Sequence, residues 1–316
     1  MKSHQSEESN QLKDYILEVC DAYNRGANAM EIARRLSGNL GNSTTLTLLA
    51  YDLQAGSYIA NARANPTYHK KWCEQIASVL DTMLAIGDTF LEVGVGEATT
   101  LSGVLESLTH KSNRALGFDL SWSRCAHACR FLAERSLIAD LFVGDLFSIP
   151  LADASIDVVY TSHSLEPNGG REREAISELV RIAKRAVVLI EPIFEFAVPE
   201  GQRRMKSHGY VTGLRDTAHT LGLKIVDYRP LPVYGNPLNP SGLLILEKYQ
   251  DSVVNSDRGI RWQCPITRTA LNKGADGFFA PQPGLLYPVL RGIPLLRGEH
   301  AVVASSWNLL KDDSNT

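Results

Sequence analysis

From Thr89 to Lys248 short apolar runs alternate with amphipathic stretches of helical spacing. The strand-like runs fall at 89–93, 115–119, 140–144, 155–161, 186–190, near 224–229 and at 242–248. The helical stretches fall at 98–109, 122–135, 171–183 and 210–221. A strand reaches a parallel neighbour only by a crossover long enough to hold a helix, so this alternation predicts an α/β domain with a largely parallel sheet covered on both faces. Ligands of such sheets bind outside the carboxyl ends of the strands.

The flanks differ from this middle region. Residues 10 to 37 carry helical periodicity, first through Leu12, Tyr15, Ile16, Val19, Cys20 and Tyr23, then through Met30, Ile32, Ala33 and Leu36 before Gly38. Helical stretches from about 44 to 60 and from Trp72 to Leu84 complete an expected N-terminal helical cap over residues 1–84, followed by the α/β domain over 85–250. Asp251–Arg258 reads as a polar linker, and the Gly- and Pro-punctuated segment after it as a small β-rich module over 259–305.

With 44% hydrophobic residues in 316, the chain can bury a substantial core. Its 32 Lys plus Arg against 35 Asp plus Glu, without a long basic run, lack the footprint of a nucleic-acid binder. The start MKSHQSEESN is polar, and no apolar stretch reaches about 18 residues, so a cytoplasmic location with neither signal peptide nor membrane span is expected. Five cysteines without framework spacing fit reduced thiols. Cys125 and Cys129, four apart, share a helix face, but two ligands make no metal site, and no metal is expected.

The run Thr89-Phe90-Leu91-Glu92-Val93-Gly94-Val95-Gly96-Glu97-Ala98-Thr99-Thr100 is a strand that turns through two glycines into a helix. Such a loop lets the backbone approach a nucleotide-like ligand and aims the free N–H groups of the helix start at it. Glu92, two residues before Gly94, suits a cationic or hydroxyl-bearing ligand and would repel a pyrophosphate, which favours S-adenosylmethionine over NAD. The second strand run ends on Asp119, 27 positions after Glu92, where nucleotide-binding α/β folds place the acid that grips a ribose. The third ends Gly144-Asp145-Leu146, an acid to accept from an adenine amino group and an apolar side chain to cover the ring.

On these residues, with Ile149-Pro150-Leu151-Ala152-Asp153-Ala154-Ser155-Ile156-Asp157-Val158-Val159 and the segment from Glu178 to Pro192, the chain resembles the class I S-adenosylmethionine-dependent methyltransferases over roughly residues 85 to 248. The resemblance implies a Rossmann-like seven-stranded methyltransferase sheet. It implies that Gly94 and Gly96 contact the methionine part of the cofactor, Asp119 the ribose, and Asp145 with Leu146 the adenine, with Glu92 and Leu120 as further cofactor-binding candidates. Ser162 and Tyr58 join them as cofactor candidates, Tyr58 from the segment Tyr51–Tyr58 that breaks the cap as an expected lid. Thr99 stands where many members have a third glycine.

The segment Thr161-Ser162-His163-Ser164-Leu165-Glu166-Pro167-Asn168-Gly169-Gly170 is the most polar concentration at an expected ligand-facing edge. His163 or Glu166 is suited to take a proton from a hydroxyl or amine nucleophile. The equal alternative is that His163 only positions cofactor or backbone while Glu166 and Asn168 cap the helix from about 171. Methyl transfer demands mainly alignment, so a dedicated base is not obligatory. His208 is a third catalytic candidate, in the basic cluster Arg203–Tyr210, which either lines an anionic substrate pocket or is a solvated helix start. No Asn-Pro-Pro-Tyr type motif follows the fourth strand, which argues against an unmodified adenine or glutamine-amide target.

Cys264-Pro265, Leu271, Tyr287-Pro288 and Gly292-Ile293-Pro294-Leu295-Leu296 resemble the small zinc-ribbon-like activator subunit that partners tRNA and release-factor methyltransferases. Those partners often bind zinc through four cysteines, and Cys264 stands alone. The sequence thus predicts a methyltransferase acting on a small polar metabolite or sugar derivative. The alternatives are a tRNA or translation-factor enzyme with its activator fused in cis, or a cofactor-binding protein without turnover.

Overall fold

The computed structural model describes residues 14–27, 29–37, 44–111, 113–248 and 259–307. Leu12, Gly38 and the expected linker Asp251–Arg258 lie outside them. The cap consists of α1 (14–24), α2 (Ala29–Ser37), α3 (Thr44–Leu53), α4 (Ser57–Ala64) and α5 (Pro66–Asp81). Its first three helices close on a small core of their own, with Val19, Ala29 and Ala50 at its centre. The helical stretch expected over 44–60 is two helices, because Gly56 at φ +100° turns the chain between α3 and α4. The helix expected from Trp72 starts at Pro66, whose fixed φ and missing N–H suit a first helical turn.

The strands β1 (Thr89–Val93), β2 (Arg114–Asp119), β3 (Asp140–Val143), β4 (Ile156–Ser162), β5 (Ala183–Pro192), β6 (Lys224–Pro230) and β7 (Ser241–Glu247) form one sheet of order β3-β2-β1-β4-β5-β7-β6. Its first five strands are parallel, and β7 runs antiparallel to both β5 and β6. The helices α6 (Thr99–Ser107), α7 (Trp122–Glu134), α8 (Glu172–Ile182), α9 (Pro199–Ser207) and α10 (Leu214–Thr220) accompany it. One helix was expected over 210–221; α10 covers only its centre, and the basic cluster belongs largely to α9, which Gly209 and Gly213, both at positive φ, separate from α10.

The central strands of the sheet are buried on both faces, which explains their continuous apolar runs. Leu91, Val159, Val187 and Leu244 point into one core with α8 and α10, and their strand neighbours Phe90, Val158, Val188 and Leu243 into the other with α5 and α6. On that second face Gly103 of α6 admits the cap: an added Cβ would stand 2.5 Å from Cys73 Sγ of α5. Cys125 is buried against the Phe142 carbonyl while Cys129 is exposed.

The C-terminal module carries β8 (Asn272–Lys273), β9 (Gly277–Ala280), β10 (Leu285–Leu290), β11 (Ile293–Pro294) and β12 (Val302–Val303). It sits on the edge strand β3: the Leu296 N–H donates to the Val143 carbonyl at 2.9 Å, and Leu295 lies beside Val143 as a parallel neighbour. Cys264, Leu271, Phe278, Tyr287 and Leu296 share one core with Leu116 and Phe142 of the sheet. The Cys264 thiol is taken up by the Tyr287 hydroxyl, 3.2 Å away.

Candidate active site

At the carboxyl ends of β1, β2, β3 and β4, where parallel topology predicts a ligand, a cavity of about 360 Å³ opens under α3, α4 and α5. Gly94 (φ +70°) and Gly96 (φ +55°) form its floor in a conformation that side chains disfavour. A Cβ on Gly94 would stand 2.3 Å from Ser164 Cβ, and one on Gly96 3.4 Å from the Tyr58 ring. Asp119 lines the cavity next to this loop, its Oδ2 accepting from the Gly96 N–H at 3.1 Å and its Oδ1 from the Ser121 N–H at 2.9 Å. Desolvation holds its carboxyl above the usual range against the pull of those amides and of Arg124. Asp145, folded back onto the Phe147 N–H at 2.9 Å, and Leu146 line the far end. Tyr58, Leu120 and Ser162 also line the cavity.

Glu92 does not. It is buried under the floor, accepts from the Tyr160 hydroxyl at 2.7 Å, and desolvation pushes its carboxyl up to about 8. At neutral pH it is largely protonated, so the sequence argument that Glu92 repels a pyrophosphate does not hold here. Its neutral carboxyl supports the strand beneath the ligand instead.

Three side chains tie the cap to the glycine loop and to the start of α7. Glu97, fully buried, accepts from the Gly56 N–H at 2.9 Å through Oε1 and from the Ile59 N–H at 2.8 Å through Oε2. It thereby caps α4, whose own N-cap residue is a glycine without a side chain. Asp52 of α3 accepts from the Ser121 hydroxyl at 2.6 Å and the Ser123 hydroxyl at 3.0 Å. Arg124, also buried, donates to the Tyr51 carbonyl at 2.9 Å, stands 3.5 Å from Glu97 and lies over the rings of Tyr51 and Tyr58. Sequence reasoning missed Glu97 and Arg124; only their place in the loop and the next helix start marked them.

Of the catalytic candidates, His163 lines the cavity, held at φ +56° just after β4 with its ring edge-on to Trp72 of α5. Both ring nitrogens are engaged: Nε2 lies 2.7 Å from the Ser241 hydroxyl and Nδ1 3.3 Å from Glu166. Burial alone would push its pKa down, but the bond and charge of Glu166, with the charge of Glu191, raise it. Glu166 stands behind it, outside the cavity lining, and takes a bond from the Asn239 amide at 2.9 Å; it is not the helix cap. Its pKa is lowered, because His163, Tyr210 and Asn239 outweigh desolvation. His208 ends α9, its ring against Tyr210, and is not among the cavity-lining residues; neither are Arg203, Arg204 and Lys206. Buried Glu191, whose carboxyl desolvation pushes up to about 7, accepts from the Ser164 and Leu165 N–H groups and shapes the loop after β4.

Residues 90–186 match the model of a methyltransferase domain. No curated protein sequence matches the chain. Among solved structures it is similar to a magnesium protoporphyrin IX methyltransferase of Synechocystis PCC 6803 with bound SAH (15% identity over 74% of this chain and 99% of that one, TM-score 0.47). It is also similar to a SAM-dependent methyltransferase of Aquifex aeolicus (16% identity, 54% and 87% covered, TM-score 0.40). A third similar chain belongs to a complex of the Haloferax volcanii methyltransferase activator Trm112 with a methyltransferase (16% identity, 62% and 96% covered, TM-score 0.48). The matched family model, not these likenesses, carries the assignment. The geometry fits the methyl donor: Gly94 and Gly96 present bare backbone to the cavity at positive φ, Asp119 lines it beside them, and buried Arg124 lines it with an Nη2 that has no protein partner. Residues 90–186 are a methyltransferase domain, and its cofactor is S-adenosylmethionine.

Proposed function

We propose that the protein methylates an oxygen or nitrogen atom of a small polar metabolite or sugar derivative. The observation that carries this reading is the cavity itself: about 360 Å³, roofed by α3, α4 and α5, is at the small end of the range for ligand pockets. With the cofactor on the glycine loop an acceptor has to reach it beneath the cap helices, an enclosure that suits a small molecule better than a polymer. When bound, S-adenosylmethionine supplies an electrophilic methyl group on a sulfonium sulfur.

Gly94, Gly96 and Ser162 hold the methionine end in this reading, Asp119 with Leu120 and Tyr58 the ribose, and Asp145 with Leu146 the adenine. Arg124, with its spare Nη2, meets an anionic group. Asn65, just before α5, with Tyr68 and Trp72 of α5, presents polar and aromatic contacts to the acceptor from above. The protein's contribution is chiefly alignment and exclusion of water. His163, tethered on both nitrogens, positions the wall after β4 and Trp72 through it.

The units at 1–84, 85–250 and 259–305 divide the work as cap, cofactor domain and edge cover. The last is an activator-like module that stabilises the catalytic domain in cis, since tethering replaces association. The resemblance of its residues to the activator subunit of tRNA and release-factor methyltransferases supports, as a second reading, a tRNA or translation-factor substrate; RNA binding that weakens steeply with salt would support it. The location fitting all of this is cytoplasmic; among the described residues no helix is long and apolar enough to cross a membrane. The test is incubation with methyl-labelled S-adenosylmethionine and a small-metabolite extract, followed by mass spectrometry of the labelled product. Label found only in RNA or protein would overturn the first reading.

A further inference from the structure

Two histidines line the cavity, and they differ in what their nitrogens do. His163 has both engaged, as described. His69 of α5 has one: its Nε2 stands 3.0 Å from the Thr99 carbonyl and 3.6 Å from Cys73 Sγ. A carbonyl only accepts, so Nε2 carries the proton and Nδ1 holds a bare lone pair. No described residue meets Nδ1. The carbonyl that fixes the tautomer belongs to the first residue of α6, directly after the cofactor loop, so His69 bridges the acceptor wall of the cap and the floor below it. Asn65, the residue that opens α5, and Tyr68, His69 and Trp72 within it recur at helical spacing on its cavity face.

We propose that His69 is the general base of the transfer, taking the proton from an O–H or N–H acceptor at Nδ1. As the acceptor's lone pair forms the new bond to the methyl carbon, the methyl–sulfur pair returns to sulfur and the acceptor proton passes to Nδ1. The imidazolium then releases that proton to water. Burial lowers the pKa of His69, and Arg135 at the end of α7 lowers it further, against the raising effects of the Thr99 bond and of Glu106 on α6. Cys73, one helical turn along α5, has its thiol pushed up to about 12 and stays neutral beside it. His69 is therefore unprotonated at pH 7.

The inference rests on the proposed function, and its test separates the two. The acceptor identified from the extract is given to wild type, His69→Gln, which retains a donor for the Thr99 carbonyl, and His69→Ala. Both variants should lose about 10²–10³-fold in kcat, with SAH affinity by calorimetry unchanged, and added imidazole should restore part of the rate to His69→Ala. The acid limb of the wild-type pH profile, below 6.5, should vanish in His69→Gln. Variants as fast as wild type, or variants that lose SAH binding, would overturn the base assignment alone. An extract yielding no labelled product would overturn the function beneath it.

Discussion

Replacing Glu97 by alanine should detach the cap from the glycine loop. Each carboxylate oxygen accepts from one buried backbone N–H of the α4 start, Gly56 through Oε1 and Ile59 through Oε2. A hydrogen bond to a charged group contributes about 1.5–3 kcal/mol, so the pair contributes about 3–6 kcal/mol if the amides stay buried. Arg124 adds to the loss, since it stays buried without the carboxylate 3.5 Å away; breaking such a pair from one side costs about 3–5 kcal/mol. These figures overlap, because a cap that lifts off returns the amides and Arg124 to water. The free energy of that opening sets the ceiling.

The expected net loss is therefore about 3–4 kcal/mol, registered locally first. Urea unfolding of Glu97→Ala and Glu97→Gln, with amide hydrogen exchange at Gly56 and Ile59, checks it. Glutamine keeps one oxygen acceptor and should lose about half as much. A loss in Glu97→Ala under about 1 kcal/mol, with protection at both amides intact, would refute the reasoning.

Gly94→Ala places a methyl group 2.3 Å from Ser164 Cβ at φ +70°, so strain of about 1–2 kcal/mol and overpacking of about 1–3 kcal/mol should add, and calorimetry should find SAH binding lost. Asp119→Ala removes the acceptor of the Gly96 and Ser121 amides and, in the proposed cofactor pose, of the ribose hydroxyls, and should weaken SAH binding by about 2–3 kcal/mol. Glu92 titrates at about 8 in the fold against an ordinary 4.5, so its contribution to stability is full below 4.5 and is lost as pH rises to about 8. Glu92→Gln should thus gain on wild type by up to about 4 kcal/mol between pH 5 and pH 8.5, read from urea midpoints; an unchanged difference would count against the buried, protonated Glu92.

The floor of the site was legible in sequence because its determinants are local. Gly94, Gly96, Asp119, Asp145 and Leu146 each stand at or just past a strand end, and strand ends follow from apolar runs and turns. What could not be read was anything set by distant partners. Spacing placed Glu92 correctly at the end of β1, but not the burial that neutralises it. Glu97 looked like one more loop residue, since its partners lie 41 and 38 positions away in the cap. His163 was singled out as the histidine at the ligand edge, whereas the Ser241 hydroxyl that occupies its Nε2 lies 78 residues on. His69 lies ahead of the helix expected from Trp72, and only the Thr99 carbonyl at the start of α6 reveals which of its nitrogens is free.

The two additions to the sheet are attached by different physics, and the difference suits their work. The module fills the same apolar core as β2 and β3 and lengthens the β3 edge, whose unpaired backbone would otherwise invite association. The opposite edge, β6, is left to solvent with Lys224, Asp227, Arg229 and a register break between Ile225 and Asp227, devices that discourage strand pairing without a cover. Next to the glycine loop, by contrast, α3 and α4 are held mainly by polar contacts through Glu97, Asp52 and Arg124, all of which water can replace. A roof over a ligand site must release its ligands, and polar attachments open at less cost than a shared apolar core. Amide exchange should therefore rank α4 well below β9 and β10 in protection, with SAH raising α4 alone. Equal protection of cap and module in the free protein would remove the basis for an opening roof.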